Sequence, residues 1–140
     1  MSVPVLSGGC LCGHVRYEVR CEDPFVDYCH CVMCRKAGGG TVTAWIQVTP
    51  ADFRVTAGEA AGYRSSERAT RHFCPRCGAQ LYMTDPAGKS VGVTVGTLDD
   101  PERIRPTVHG WDGARVSWLH IADDLPRFPA DIPYDVPDEG

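Results

Sequence analysis

The side chains best equipped for chemistry in this chain are its eight cysteines, spread over 140 residues. Seven of them form three clusters: Cys10-Leu11-Cys12-Gly13, Cys29-His30-Cys31-Val32-Met33-Cys34 and Cys74-Pro75-Arg76-Cys77-Gly78. Two thiols two or three positions apart on a turn supply half of a tetrahedral zinc site, with sulfur about 2.3 Å from the metal. Gly13 and Gly78 let the backbone fold sharply beside the second cysteine of their pairs. Cys10 and Cys12 with Cys74 and Cys77 would complete a closed four-sulfur site, whose binding energy is folding energy. Cys29, Cys31 and Cys34 have a different consequence. Three protein ligands on one loop leave a fourth position open, as a reactive metal requires. Three thiolates on Zn²⁺ carry one net negative charge, which weakens the ion toward water but suits a soft incoming thiolate. Spacing leaves the partnering open, because Cys10, Cys12, Cys29 and Cys31 could also share one ion.

Neighbouring residues refine this reading. Arg35 and Lys36 follow Cys34 and could offset the thiolates or meet an anionic substrate; Arg71 and His72 could likewise bind carboxylates of a small thiol. His30, between two ligand cysteines, points away from a metal in turning backbone and reads as a spacer or a hydrogen-bonding partner behind the ligands. Proton delivery is its other candidate role. Cys21 continues the Val15, Tyr17, Val19 face by the period of two and reads as a core residue; as a ligand it would close the three-sulfur site. His109 and His120 lie among apolar residues and read as structural histidines. Trp45, Trp111 and Trp118 read as core, with one free to line a pocket.

Two other uses of cysteine fit less well. Three thiols in six residues cannot all pair locally in disulfides. A redox CxxC is expected to open a helix in a βαβ unit, whereas Cys74 follows a strand-like stretch. The N-terminal MSVPVLSGGC lacks a basic region and a long apolar run, so the expected compartment is the reducing cytoplasm. No segment is apolar enough to predict a membrane span. A net charge of −4 supplies no general basic surface for nucleic acid.

The elements that must position these residues read as short strands. His14–Arg20 alternates strictly, and Thr41–Val48, Ser90–Val95 and Val116–Ile121 are rich in β-branched and aromatic residues. No helical pattern exceeds about two turns. The prediction is all-β, a single zinc-binding domain over residues 1–125 built from small sheets. From Pro126 onward four prolines exclude helix and central strand, so residues 126–140 read as an acidic, extended tail. Phe128, Ile132 and Tyr134 are apolar enough to dock it on the domain.

Taken in order, the cysteine motifs give the chain a resemblance to the glutathione-dependent formaldehyde-activating enzymes, a family that includes the centromere protein V domain. It is carried by Gly8–Tyr17, Cys29–Lys36 and Phe73–Gly78, and extended by Gly96–Pro101 and Asp123–Pro126. The resemblance implies small antiparallel sheets around zinc sites, the β-tent of the Mss4-like proteins. It implies a structural zinc on Cys10, Cys12, Cys74 and Cys77, and a second, active-site zinc on Cys29, Cys31 and Cys34. The implied activity is reversible carbon–sulfur lyase chemistry joining glutathione to formaldehyde. The competing expectation is a zinc-binding module without turnover that presents a surface to a protein partner.

Overall fold

The computed structural model describes residues 3–132. Ten strands and one short helix follow one another: β1 (Val5–Gly9), β2 (Arg16–Arg20), β3 (Phe25–Cys29), α1 (Val32–Gly38), β4 (Thr43–Val48), β5 (Phe53–Ala57), β6 (Ala61–Arg64), β7 (Thr70–Phe73), β8 (Gln80–Thr84), β9 (Val91–Thr94) and β10 (His109–Gly110). The architecture is therefore mostly β, as the sequence predicts. α1 has seven residues, about two turns.

The strands make two sheets, one of three strands in the order β1-β2-β5 and one of seven in the order β10-β3-β4-β9-β8-β7-β6. Pairing is antiparallel except between β10 and β3, which run parallel. Strict alternation from Val15 into β2 places Val15, Tyr17 and Val19 in the core, each with 1% exposure or less. They pack with Ile46 of β4, Leu81 of β8 and Val93 of β9, so the core lies between the sheets. Cys21 packs against this cluster as a half-buried residue.

A run of rings crosses the gap: Tyr17 lies 5.6 Å from Phe53, and Phe53 lies 4.6 Å from Tyr82 of β8. Polar contacts reinforce it through the segment after β9. The Tyr17 hydroxyl meets Thr97 Oγ1 at 2.7 Å, and Arg16 donates to Asp99 at 3.0 Å. Burial pushes the Tyr17 phenol up to about 12, so it stays a neutral hydrogen-bonding group.

Glycine is needed where β5 returns beside β2. Gly58 has φ +74°, and a Cβ there would press into the carbonyl of His14 and lie 3.2 Å from Val15 Cα. Both obstacles are backbone, so neither can swing away. Gly58→Ala is expected to cost about 2–4 kcal/mol, read as a lower denaturant midpoint with an unchanged slope.

Three expectations change. Val116–Ile121 forms no strand but a turn and extended loop, leaving Trp118 68% exposed. Trp111 is also exposed, so only Trp45 of the three tryptophans joins the interior. His120 is exposed rather than buried in a strand. Their apolar character suits a strand, but strand formation needs a partner edge, and the C-terminal segment takes the available one. His109 N donates to Pro126 O and Phe128 N to His109 O, each at 2.9 Å, and Ile132 is buried beside Gly110. Tyr134, expected to dock as well, lies outside the described residues.

Candidate metal centres

Two turns of the same construction build the first centre. After β1, Cys10 N donates to Val15 O and Gly13, at φ +83°, donates back to Cys10 O. After β7, Cys74 N donates to Ala79 O and Gly78, at φ +81°, donates back to Cys74 O. The sulfurs of Cys10, Cys12, Cys74 and Cys77 all fall within 4.8 Å of one another. Cys12 Sγ is 3.7 Å from both Cys10 Sγ and Cys74 Sγ. The edge of a tetrahedron with about 2.3 Å Zn–S bonds is about 3.8 Å, so this spacing fits zinc.

Backbone N–H groups also face the sulfurs: Val15 on Cys10 at 3.2 Å, and Arg76 and Cys77 on Cys74 at 3.3 and 3.4 Å. Such donors stabilise thiolate. For Cys77, the backbone hydrogen bonds at Ala79 and Cys12 pull the thiol down to about 6.

The second trio sits where β3 passes into α1. Cys29 ends β3, Cys31 caps α1, and Cys34 lies in its first turn. Cys31 Sγ accepts from Cys34 N at 3.2 Å, so one sulfur is both helix cap and candidate ligand. Cys34 and Cys29 sulfurs are 3.3 Å apart, and all three lie within 4.8 Å. Their mutual hydrogen bonds share out the protons: Cys29 is driven up and Cys31 is pulled down to about 2, with Arg71 assisting. The soft, crowded, partly anionic set fits a metal ion. Cys21 joins neither group.

A cavity of about 540 Å³ reaches Cys34. Ala44 and Trp45 of β4, Val95, Ile104 and Pro106 give it apolar walls. Arg71 of β7 is 5% exposed and lines it. Both terminal nitrogens of Arg71 lie 3.8 Å from Cys34 Sγ, its Nε donates to Ser65 Oγ at 3.1 Å, and its guanidinium lies 6.0 Å from the Trp45 ring centre. The sequence offers Arg71 as a carboxylate binder; in the structure it serves a cysteine.

Arg35, Lys36 and His30 do not line this cavity. Lys36 is exposed and Arg35 half-buried on α1. His30 is 1% exposed and turns to β10, where its Nε2 meets His109 Nδ1 at 2.9 Å; His109 Nε2 meets Asp123 Oδ2 at 2.9 Å. His109 is thus a satisfied structural histidine, as expected.

His30, His109 and Asp112 lie close enough to hold a metal. The two ring nitrogens already share a hydrogen bond, however, and Arg127 and Arg115 pair with Asp112 at 3.0 and 3.6 Å. The group reads as a polar network that fastens the end of β3. Sequence reading missed it because Asp123 is far from His30 in the chain, and no spacing links the two.

His72, on the opposite face of β7 from Arg71, accepts or donates to Thr84 Oγ1 at 2.9 Å and stacks on Tyr82. Burial holds His72 and His30 below their ordinary value of 6.5. The folded state then binds fewer protons than the unfolded one, so stability is full above about pH 6.5 and declines as pH falls below it. Thermal midpoints measured downward from about pH 7 should decline in that window, and His72→Gln should flatten part of the decline.

The chain is similar to known proteins in sequence and in fold. Residues 5–114 match the family model described as glutathione-dependent formaldehyde-activating enzyme. A Halomonas elongata protein named "Putative glutathione-dependent formaldehyde-activating enzyme" is 31% identical over 129 residues, covering 84% of this chain and 81% of its own. An uncharacterized lyase of Schizosaccharomyces pombe is 33% identical over 89 residues, 63% of this chain and 64% of its own. The crystal structure of a Rhodobacter sphaeroides protein shares the fold with TM-score 0.59 at 23% identity, over 87% of this chain and 99% of that one. The chain belongs to the glutathione-dependent formaldehyde-activating enzyme family. No helix among the described residues is long and apolar enough to cross a membrane.

Proposed function

We propose that the chain is a zinc-dependent carbon–sulfur lyase-type enzyme that adds a small thiol, glutathione or similar, to an aldehyde such as formaldehyde, reversibly. One observation carries the reading: a three-sulfur group, Cys29, Cys31 and Cys34, meets a cavity at Cys34. The expected metal content is two zinc ions, one on Cys10, Cys12, Cys74 and Cys77 and one on that trio. A reducing, cytoplasmic setting would suit eight cysteines that are all unpaired.

Zinc at the trio would lower the pKa of a bound thiol and supply thiolate at neutral pH. The residues of the chain do the rest. Trp45, Val95 and Ile104 shield the reacting atoms from bulk water. The cavity brings sulfur and aldehyde together, and proximity supplies much of the acceleration. A carbon–sulfur bond forms, the carbonyl π pair moves to oxygen, and that oxygen takes a proton. His30 faces His109 and not the cavity, so water delivers the proton in this scheme. Arg35 and Lys36 are candidates for the carboxylates of a thiol that extends beyond the cavity.

Cobalt replacement provides the test. Millimolar glutathione should change the thiolate–cobalt spectrum, and S-hydroxymethylglutathione should form faster with protein than without. An unchanged spectrum would leave the chain as a zinc-stabilised binding module.

A further inference from the structure

Among the described residues Arg71 is the one buried cation at the second centre. It stands on β7, paired through Tyr63 on one side and Met83 on the other. Its neighbours fix the head group from three directions: Ser65 holds Nε, the Trp45 face lies alongside, and the fork of terminal N–H groups meets Cys34 sulfur. Burying a guanidinium is costly unless an anion compensates it, and among the described residues no aspartate or glutamate lines the cavity. The anionic group is the cysteine trio itself.

The charge arithmetic explains why such a residue is needed. Three thiolates and a divalent zinc carry one negative charge. A fourth thiolate would raise that to two, in a pocket with apolar walls. Neutral ligands face no such penalty. With Arg71 counted, the centre is neutral before the thiolate arrives and singly negative afterward. Arg105, the other cation lining the cavity, is exposed and screened by water.

We propose that Arg71 is a specificity-determining positioning residue, the built-in counter-charge that lets the three-cysteine centre accept an anionic sulfur as its next ligand. This rests on the reading of the trio as a thiol-binding zinc centre. Arg71 acts through Cys34 and through its positive charge, and the property it sets is selectivity for thiolate over neutral ligands. The charge is the active ingredient. Lysine should keep much of the effect and glutamine, which keeps donors but not charge, should not.

The test uses cobalt-loaded full-length protein, titrated separately with glutathione and with imidazole and followed by its visible spectrum. Arg71→Gln and Arg71→Met should bind glutathione roughly 10- to 100-fold more weakly while imidazole affinity stays within about threefold. Arg71→Lys should recover most of the glutathione affinity. Equal weakening toward both ligands would assign Arg71 a structural role only and overturn the proposal, as would glutathione affinity unchanged in Arg71→Gln. Absence of any glutathione response in the unsubstituted protein would instead overturn the thiol-binding reading on which the proposal stands.

Discussion

Cys34→Ser should lose thiol addition by about 100-fold or more in kcat/KM and yet remain folded. The loss corresponds to at least about 2.7 kcal/mol of transition-state stabilisation. Cys34 is the trio member that lines the cavity, is 3% exposed, and carries the contact with Arg71. A serine hydroxyl is a poor zinc ligand at neutral pH and gives Arg71 no anionic partner. Metal content should fall from two zinc ions to one, because the first centre shares no residue with the second. The thermal midpoint should change by only a few degrees, the shift expected for about 1 kcal/mol in a domain of this size. Activity within threefold of the parent would remove the trio from the mechanism.

Cys74→Ser is expected to do the reverse damage and abolish folding. Cys74 has no exposed surface and belongs to the same cluster as Val15, Ile46 and Leu81. Its sulfur receives two backbone N–H donors and stands 3.7 Å from Cys12. Structural zinc contributes roughly 10–16 kcal/mol of apparent binding energy in small domains. The whole stability of a domain is about 5–15 kcal/mol, so losing a zinc ion held there would exceed the margin. The variant should lack the far-ultraviolet β signal and elute as expanded or aggregated chain, and a strong chelator should bring the parent protein to the same state. A soluble variant melting within about five degrees of the parent would show that the first centre is not what holds the sheets together.

The pairs and the trio of cysteines were legible in the sequence because cysteine spacing is a local property. So was the run from Val15 into β2, where Val15, Tyr17 and Val19 alternate over one face. The partnering of half-sites was not, since it depends on the β7 turn returning beside β1; there the family resemblance, not the spacing, supplied the expectation. β3 escaped notice because Asp27 lies buried in the middle of it, satisfied in part by Gln47 across the strand pair, and interrupts the apolar pattern. Arg71 was noticed for its charge, but its contact with Cys34 depends on the fold and was not legible. Its neighbour in sequence, His72, faces the other way, and period two alone separates them. Val116–Ile121 failed for the opposite reason: its composition suits a strand, but no edge receives it.

The parallel pairing of β10 with β3 governs the order in which the molecule can be completed during synthesis. Once residue 77 has emerged, all four sulfurs of the first centre exist, and an ion held by them would lock β1 to the β7 turn. The loop bearing Cys29, Cys31 and Cys34 is also complete by then, but its support is not. Tyr28 N waits for Val108 O and His30 N for Gly110 O, while the His30 ring waits for His109, which in turn needs Asp123. A nascent chain stopped after β9 and before Val108 would carry nine of the ten strands with an unbraced trio, free to pick up a metal before its pocket has formed. What the remaining chain adds to the second centre is therefore support and a pocket, not ligands.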